Sequence, residues 1–125
     1  MSFNWAQLCD LAQELAGQTP VTPAGQEARL RCAISRAYYA AFITARNHAR
    51  DRLGQTFALN KAHSSLPDVL MASTDDTLKK VGSDLVRLRS ARDKADYDDA
   101  IDKLESLASV GILLSRQILS GLSSL

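Results

Sequence analysis

The sequence predicts an all-α protein: an antiparallel up-down bundle of four main helices plus a short helix, folded as a single domain over residues 1–125. Three observations carry this expectation. Apolar residues recur at helical spacing along the whole chain, and no alternating run bounded by turns makes a convincing strand. The connections between periodic segments are short, which sets neighbouring helices antiparallel. A length of 125 residues is enough for one domain with one hydrophobic core.

In the first helix Trp5, Leu8, Ala12 and Leu15 share a face, and Gly17 ends it. "GQTPVTPAG", with Pro20 and Pro23, reads as the loop that follows. A long second helix is expected from about Gln26 to Leu53, with the stripe Leu30, Ala33, Ile34, Ala37, Tyr38, Ala41, Phe42, Ala45. Its alanines allow neighbouring helices to approach closely, Tyr38, Tyr39 and Phe42 fill gaps, and Gly54 is the expected stop. A short helix is expected around Leu66 to Ala72, with Pro67 in its first turn. "STDD" supplies a cap and first-turn acids for the next helix, whose stripe is Leu78, Val81, Leu85, Leu88, then Arg92 and Ala95. The last helix is expected from about Asp98, with an acidic first turn and the stripe Ile101, Leu104, Leu107, Ala108, Gly111, Leu114, Ile118, Leu122. The final "SGLSSL" is expected to fray. Trp5, Leu8, Leu30, Ile34, Tyr38, Phe42, Leu85, Leu88, Leu104 and Leu107 form the expected core.

Composition is that of an ordinary globular protein, with 46% hydrophobic and 23% charged residues. Apolar stretches are too short and interrupted to span a bilayer, and the N-terminus lacks the basic region of a secretory signal. The expected compartment is the cytoplasm, with no membrane partner. Cys9 and Cys32 each fall among apolar helical residues and read as reduced core cysteines. No CxxC and no histidine pair at ligand spacing occur, so neither a metal site nor a cofactor is expected.

The net charge is +1, which gives no global attraction to nucleic acid, but the charges are segregated. Arg29, Arg31, Arg36, Arg46, Arg50 and Arg52 face one acid, Asp51; Asp96, Asp98, Asp99, Asp102 and Glu105 face Lys103. Internal pairing, a polarised surface, or both follow. Arg36, mid-helix and off the main stripe, is expected to form a structural ion pair with an acid of "RDKADYDD", Asp96 being the assigned partner. Arg92 stands where the stripe calls for a leucine. It either snorkels from the helix end or projects into a groove or subunit interface that needs a fixed positive charge, for instance to hold a phosphate.

Three stretches, "AISRAYYAAFITAR", "LRSARDKADYDDA" and "KAHSS", together resemble the HEPN superfamily, in particular its small stand-alone prokaryotic members, over nearly the full chain. The resemblance implies a homodimeric, antiparallel helical bundle that works on RNA in toxin–antitoxin or other defence systems. It also implies a frequent companion, a minimal nucleotidyltransferase that can modify a tyrosine near the motif. Many such proteins are metal-independent ribonucleases that carry an arginine, a spacer of a few residues and a histidine. The histidine takes the ribose 2′-OH proton and the arginine holds charge on the phosphate. In this chain Arg92 is followed by Asp93, and Tyr97 occupies the histidine position. Tyrosine titrates near 10, so only roughly one in a thousand would be ionised at neutral pH. Neither His48 nor His63 has an arginine at the required spacing before it.

The site residues implied are Arg92, Asp93 and Tyr97 for catalysis and Arg89, Lys94 and His63 for RNA, with His63 also a base that another part of the bundle could supply. Three readings stay open: a ribonuclease with a degenerate site; a non-catalytic module binding RNA, nucleotide or protein; and a structural subunit partnering a nucleotidyltransferase.

Overall fold

A computed structural model describes residues 3–17, 23–58 and 60–125. Among them there are helices and no strands: α1 (Gln7–Gly17), α2 (Pro23–Arg52), α3 (Ala62–Met71), α4 (Asp76–Tyr97) and α5 (Leu104–Ser123). The middle of the expected proline loop, including Pro20, lies outside the described residues. Pro23 belongs to α2 and opens it, the helical position where a missing N–H costs least.

Inter-helix contacts give the directions. Arg31 and Tyr38 of α2 meet Ala95 and Arg92 of α4, in reverse order. Gly111 and Gly121 of α5 lie against Leu88 and Val81 of α4, again in reverse. Gln26 and Ala37 of α2 meet Glu105 and Ser115 of α5 in the same order. The α2–α4 and α4–α5 pairs are therefore antiparallel, and α2 and α5 run parallel in contact. The four long helices form a bundle with α2 central, touching α1, α4 and α5, while α3 lies mainly on α4.

Residue size sets how closely the helices approach. Ala12, Ala33 and Ala37 meet between α1 and α2, and the Ser115 hydroxyl donates to the Ala37 carbonyl at 2.7 Å inside the α2–α5 contact. The larger cluster joins Tyr38, Phe42, Leu66, Leu70, Leu85, Leu88, Leu114 and Ile118. Where α3 crosses α4 a glycine is required. A Cβ on Gly82 would lie 2.8 Å from Met71 Cγ and 2.9 Å from the Pro67 carbonyl oxygen.

Two expected helix ends hold. Asp75 of "STDD" caps α4, its carboxylate accepting from the Leu78 N–H at 3.1 Å. Gly54 takes φ 67°, the left-handed conformation that ends a helix, and Gln55 N–H reaches back to the Ala49 carbonyl at 3.0 Å.

Several expectations are corrected. The helix expected from Leu66 begins at Ala62, so Pro67 lies inside it, with no N–H to offer the His63 carbonyl. The last helix begins at Leu104 rather than Asp98. Asp98 is extended and ends α4, and Lys103 sits at φ 56° immediately before α5. Asp98, Asp99 and Asp102 thus lie in the connection, leaving Glu105 as the first-turn acid. Arg31 holds this connection, donating to the carbonyls of Ala95 (2.9 Å) and Asp99 (3.2 Å). The C-terminal segment stays helical through Ser123, with the Ser123 and Ser124 hydroxyls donating to the carbonyls of Ser120 and Gly121. Of the expected core, Trp5 and Leu8 are only half-buried, because α1 turns Cys9 and Ala12 inward, and Leu104 and Leu107 are half-buried because the first turns of α5 put Ala108 and Gly111 inward. Cys32 is exposed, not a core residue; both thiols are free.

Candidate functional site

Arg92 comes from the inward stripe of α4, so the helix carries a guanidinium into the bundle, where it is 8% exposed. A buried cation needs partners. Its own helix supplies two carboxylates, Asp93 at 3.3 Å and Asp96 at 3.7 Å. α2 supplies an aromatic face: the guanidinium carbon lies 4.9 Å from the Tyr38 ring centre and 5.9 Å from that of Tyr39. The Nε atoms of Arg92 and Arg89 are nonetheless buried without a hydrogen-bond partner.

Tyr38, 1% exposed, connects this arginine to α3. Its hydroxyl lies 2.6 Å from His63 Nδ1. Phe42, one turn along α2 from Tyr38, stacks on the His63 ring with centroids 4.2 Å apart and 12° between planes. His63 is half-buried at the edge of a pocket of about 220 Å³ lined also by Ser64, Pro67, Asp68, Val86 and Arg89. Burial, then the charges of Arg92 and Arg89, hold His63 below the usual histidine range, with Asp93 opposing. Burial pushes the Tyr38 phenol up to about 12 against the pull of the same two arginines. Both groups are therefore neutral at ordinary pH.

The fold thus brings together Arg89, Arg92, Asp93 and His63 of the expected site residues. It leaves two outside. Tyr97 is 74% exposed, with no hydrogen-bond, ionic or ring partner among the described residues, and Lys94 is exposed near the end of α4. The expected Arg36–Asp96 pair is not formed: the Asp96 carboxylate faces Arg92. Arg36 instead contacts the Ser35 hydroxyl at 3.4 Å and the Tyr39 ring at 5.4 Å. Arg36 and Asp96 do share a wall, lining a groove of about 800 Å³ with Leu11, Leu15, Cys32 and Tyr39. The reason is reach along one helix: Asp96 is one turn from Arg92, and the buried cation has the greater need of a counter-charge.

The sequence reads Phe42 as core, and Tyr38 as core before a base-stacking ring, so neither is among the expected site residues. Their i,i+4 spacing beside the "KAHSS" histidine was the available signal, but both also satisfy the core pattern. Among the described residues no group of histidine, cysteine and acid side chains could hold a metal, and no helix is long and apolar enough to cross a membrane.

The fold and this cluster define an all-helical bundle in which an arginine, a tyrosine and a histidine from three helices are in contact. No family model matches the chain, and no curated protein or solved structure matches it.

Proposed function

We propose that the chain is a HEPN-like, homodimeric, cytoplasmic domain of an RNA-targeting toxin or defence system, and that it binds RNA without cutting it. The observation that carries this reading is the Arg89 guanidinium beside a neutral His63 in one pocket, with Arg92 buried behind them, which supplies positive charge and a ring donor or acceptor at one edge of the bundle. The same geometry argues against hydrolysis. Arg92 is engaged by Asp93, Asp96 and the Tyr38 ring rather than free to follow a developing phosphate charge. The residue in the usual histidine position, Tyr97, stands apart from the cluster. Metal-stripped protein should retain a fluorescent RNA without shortening it. Cleavage by the native chain that disappears in Arg92→Ala would replace this reading with that of a metal-independent ribonuclease. Light scattering that gives a monomer at micromolar concentration would remove the dimer.

One observation favours a second reading, a subunit acted on by a nucleotidyltransferase: the Tyr97 hydroxyl end of α4 is open to solvent. Incubation with such an enzyme and nucleoside triphosphate, followed by mass mapping, should then place a nucleotide adduct on Tyr97 and none on the buried Tyr38.

A further inference from the structure

We infer that the pocket between α3 and α4 is a phosphodiester-binding subsite, in which the buried Tyr38 hydroxyl holds His63 as a fixed Nε2–H donor beside the Arg89 guanidinium. It rests on the RNA reading only for the source of the diester; the donor assignment stands on the pocket itself.

The Tyr38 hydroxyl has one hydrogen-bond partner among the described residues, His63 Nδ1 at 2.6 Å. A phenol carries a single proton, and in so buried a position it is either donated or left unsatisfied. Nδ1 is the acceptor within reach, so it bears no proton, and the ring proton of the neutral imidazole resides on Nε2. Phe42, stacked on the ring, fixes its plane. Nε2 makes no hydrogen bond among the described residues and is not one of the buried unpartnered nitrogens, so it is open to solvent where His63 borders the pocket.

The surroundings select an anion. His63 and Ser64 lie in the first turn of α3, where the Ala62 and Ser64 N–H groups already donate to the Ala58 and Lys61 carbonyls, so the helix start contributes only its weak dipole and the donors for an anion are the side chains. Arg89 lines the pocket, and its nearest carboxylate contact is Asp93 at 4.0 Å. Arg92 and Arg89 are the cations that act on the histidine, with Asp93 the opposing carboxylate. Ser64 adds no donor, since its hydroxyl already donates to the Lys61 carbonyl. Asp68 on the same wall opposes a second negative charge, so the pocket suits a singly charged diester better than a dianionic monoester. With Nε2 already protonated, His63 is not poised to take a proton from a 2′-OH.

Long-range nitrogen–proton NMR spectra of the full chain test this, with His48 as the second histidine and internal reference. At neutral pH His63 should show a pyrrole-type Nε2 and a pyridine-type Nδ1. Dimethyl phosphate should move the Nε2 signal, and inorganic phosphate should move it less. Arg89→Gln should weaken the diester response about tenfold, the scale of one charge-assisted hydrogen bond. Tyr38→Phe keeps the ring under Arg92 and should mix the two tautomers. A proton on Nδ1, a doubly protonated ring at neutral pH, or no response to dimethyl phosphate overturns the inference. Tetrauridylate lacking terminal phosphates separates it from the broader reading. Binding of that RNA with His63 unmoved overturns the subsite and leaves the RNA reading standing. A dimethyl phosphate response with no binding of tetrauridylate or longer RNA supports the subsite and removes the RNA reading.

Discussion

Arg92 and Arg36 both lie against the Tyr38–Tyr39 pair of α2, yet one is an internal strut and the other lines an open groove. The difference is depth. Arg92 occupies an inward position of α4, and the next acids along its own helix turn back to neutralise it. Arg36 lies off the inward stripe of α2, half-buried, and meets a hydroxyl and an aromatic ring rather than a carboxylate. Charge in a sequence therefore says little about role until the facing of the helix is known. A cation turned inward requires counter-charges, whereas one at a groove can keep its capacity for a ligand.

The sharpest way to break this comparison is Arg92→Ala. It removes the cation between two carboxylates and an aromatic face. Because Asp93 and Asp96 remain partly open to water, the expected loss is about 2–3 kcal/mol rather than the larger figure for a fully enclosed pair, read from denaturant unfolding. An unchanged midpoint would mean that Arg92 is not a strut. Next comes Gly82→Ala, which tests whether the Arg92 side depends on α3 being pressed onto α4. The added methyl meets a backbone oxygen as well as the flexible Met71, and a cost of about 2 kcal/mol is expected. The His63 signals should shift in the same variant if α3 is displaced.

A smaller effect is the pH response. His63 titrates below its ordinary value in the fold, so the unfolded chain binds a proton first as pH falls. Stability should be level above about pH 6.5, the ordinary histidine value, and decline as pH drops from there through the folded value. His48 is lowered too, chiefly by burial, so the two contributions must be separated. Melting temperatures at pH 5 and 7.5 should differ less in His63→Gln than in the native chain; an equal difference would assign the response to His48 and the carboxylates. The smallest effect is expected for Arg36→Ala, no more than about 1 kcal/mol, since it loses one cation–aromatic contact at a half-exposed position. A loss matching that of Arg92→Ala would erase the distinction between the two arginines.

Local sequence determined the all-α class, the stripes Leu30–Phe42 and Leu78–Leu88, a cap within "STDD" and the Gly54 stop, because these depend on residues within a turn or two of each other; that Asp75 is the capping residue came from the structure. Helical periodicity also marked Arg92 as out of place on an apolar stripe. The start of α5 was not legible, because an acidic first turn and an acidic loop look alike. Arg31, 64 residues from Ala95, holds that segment as a loop by binding its carbonyls. Nor could the sequence say which arginine takes Asp96, or that His63 joins Tyr38 across 25 residues, since both depend on which helix faces press together. Local spacing specifies what each helix turns inward. Only packing decides what it meets there, because a buried cation and a buried phenol are satisfied by whichever groups the bundle brings within hydrogen-bonding distance.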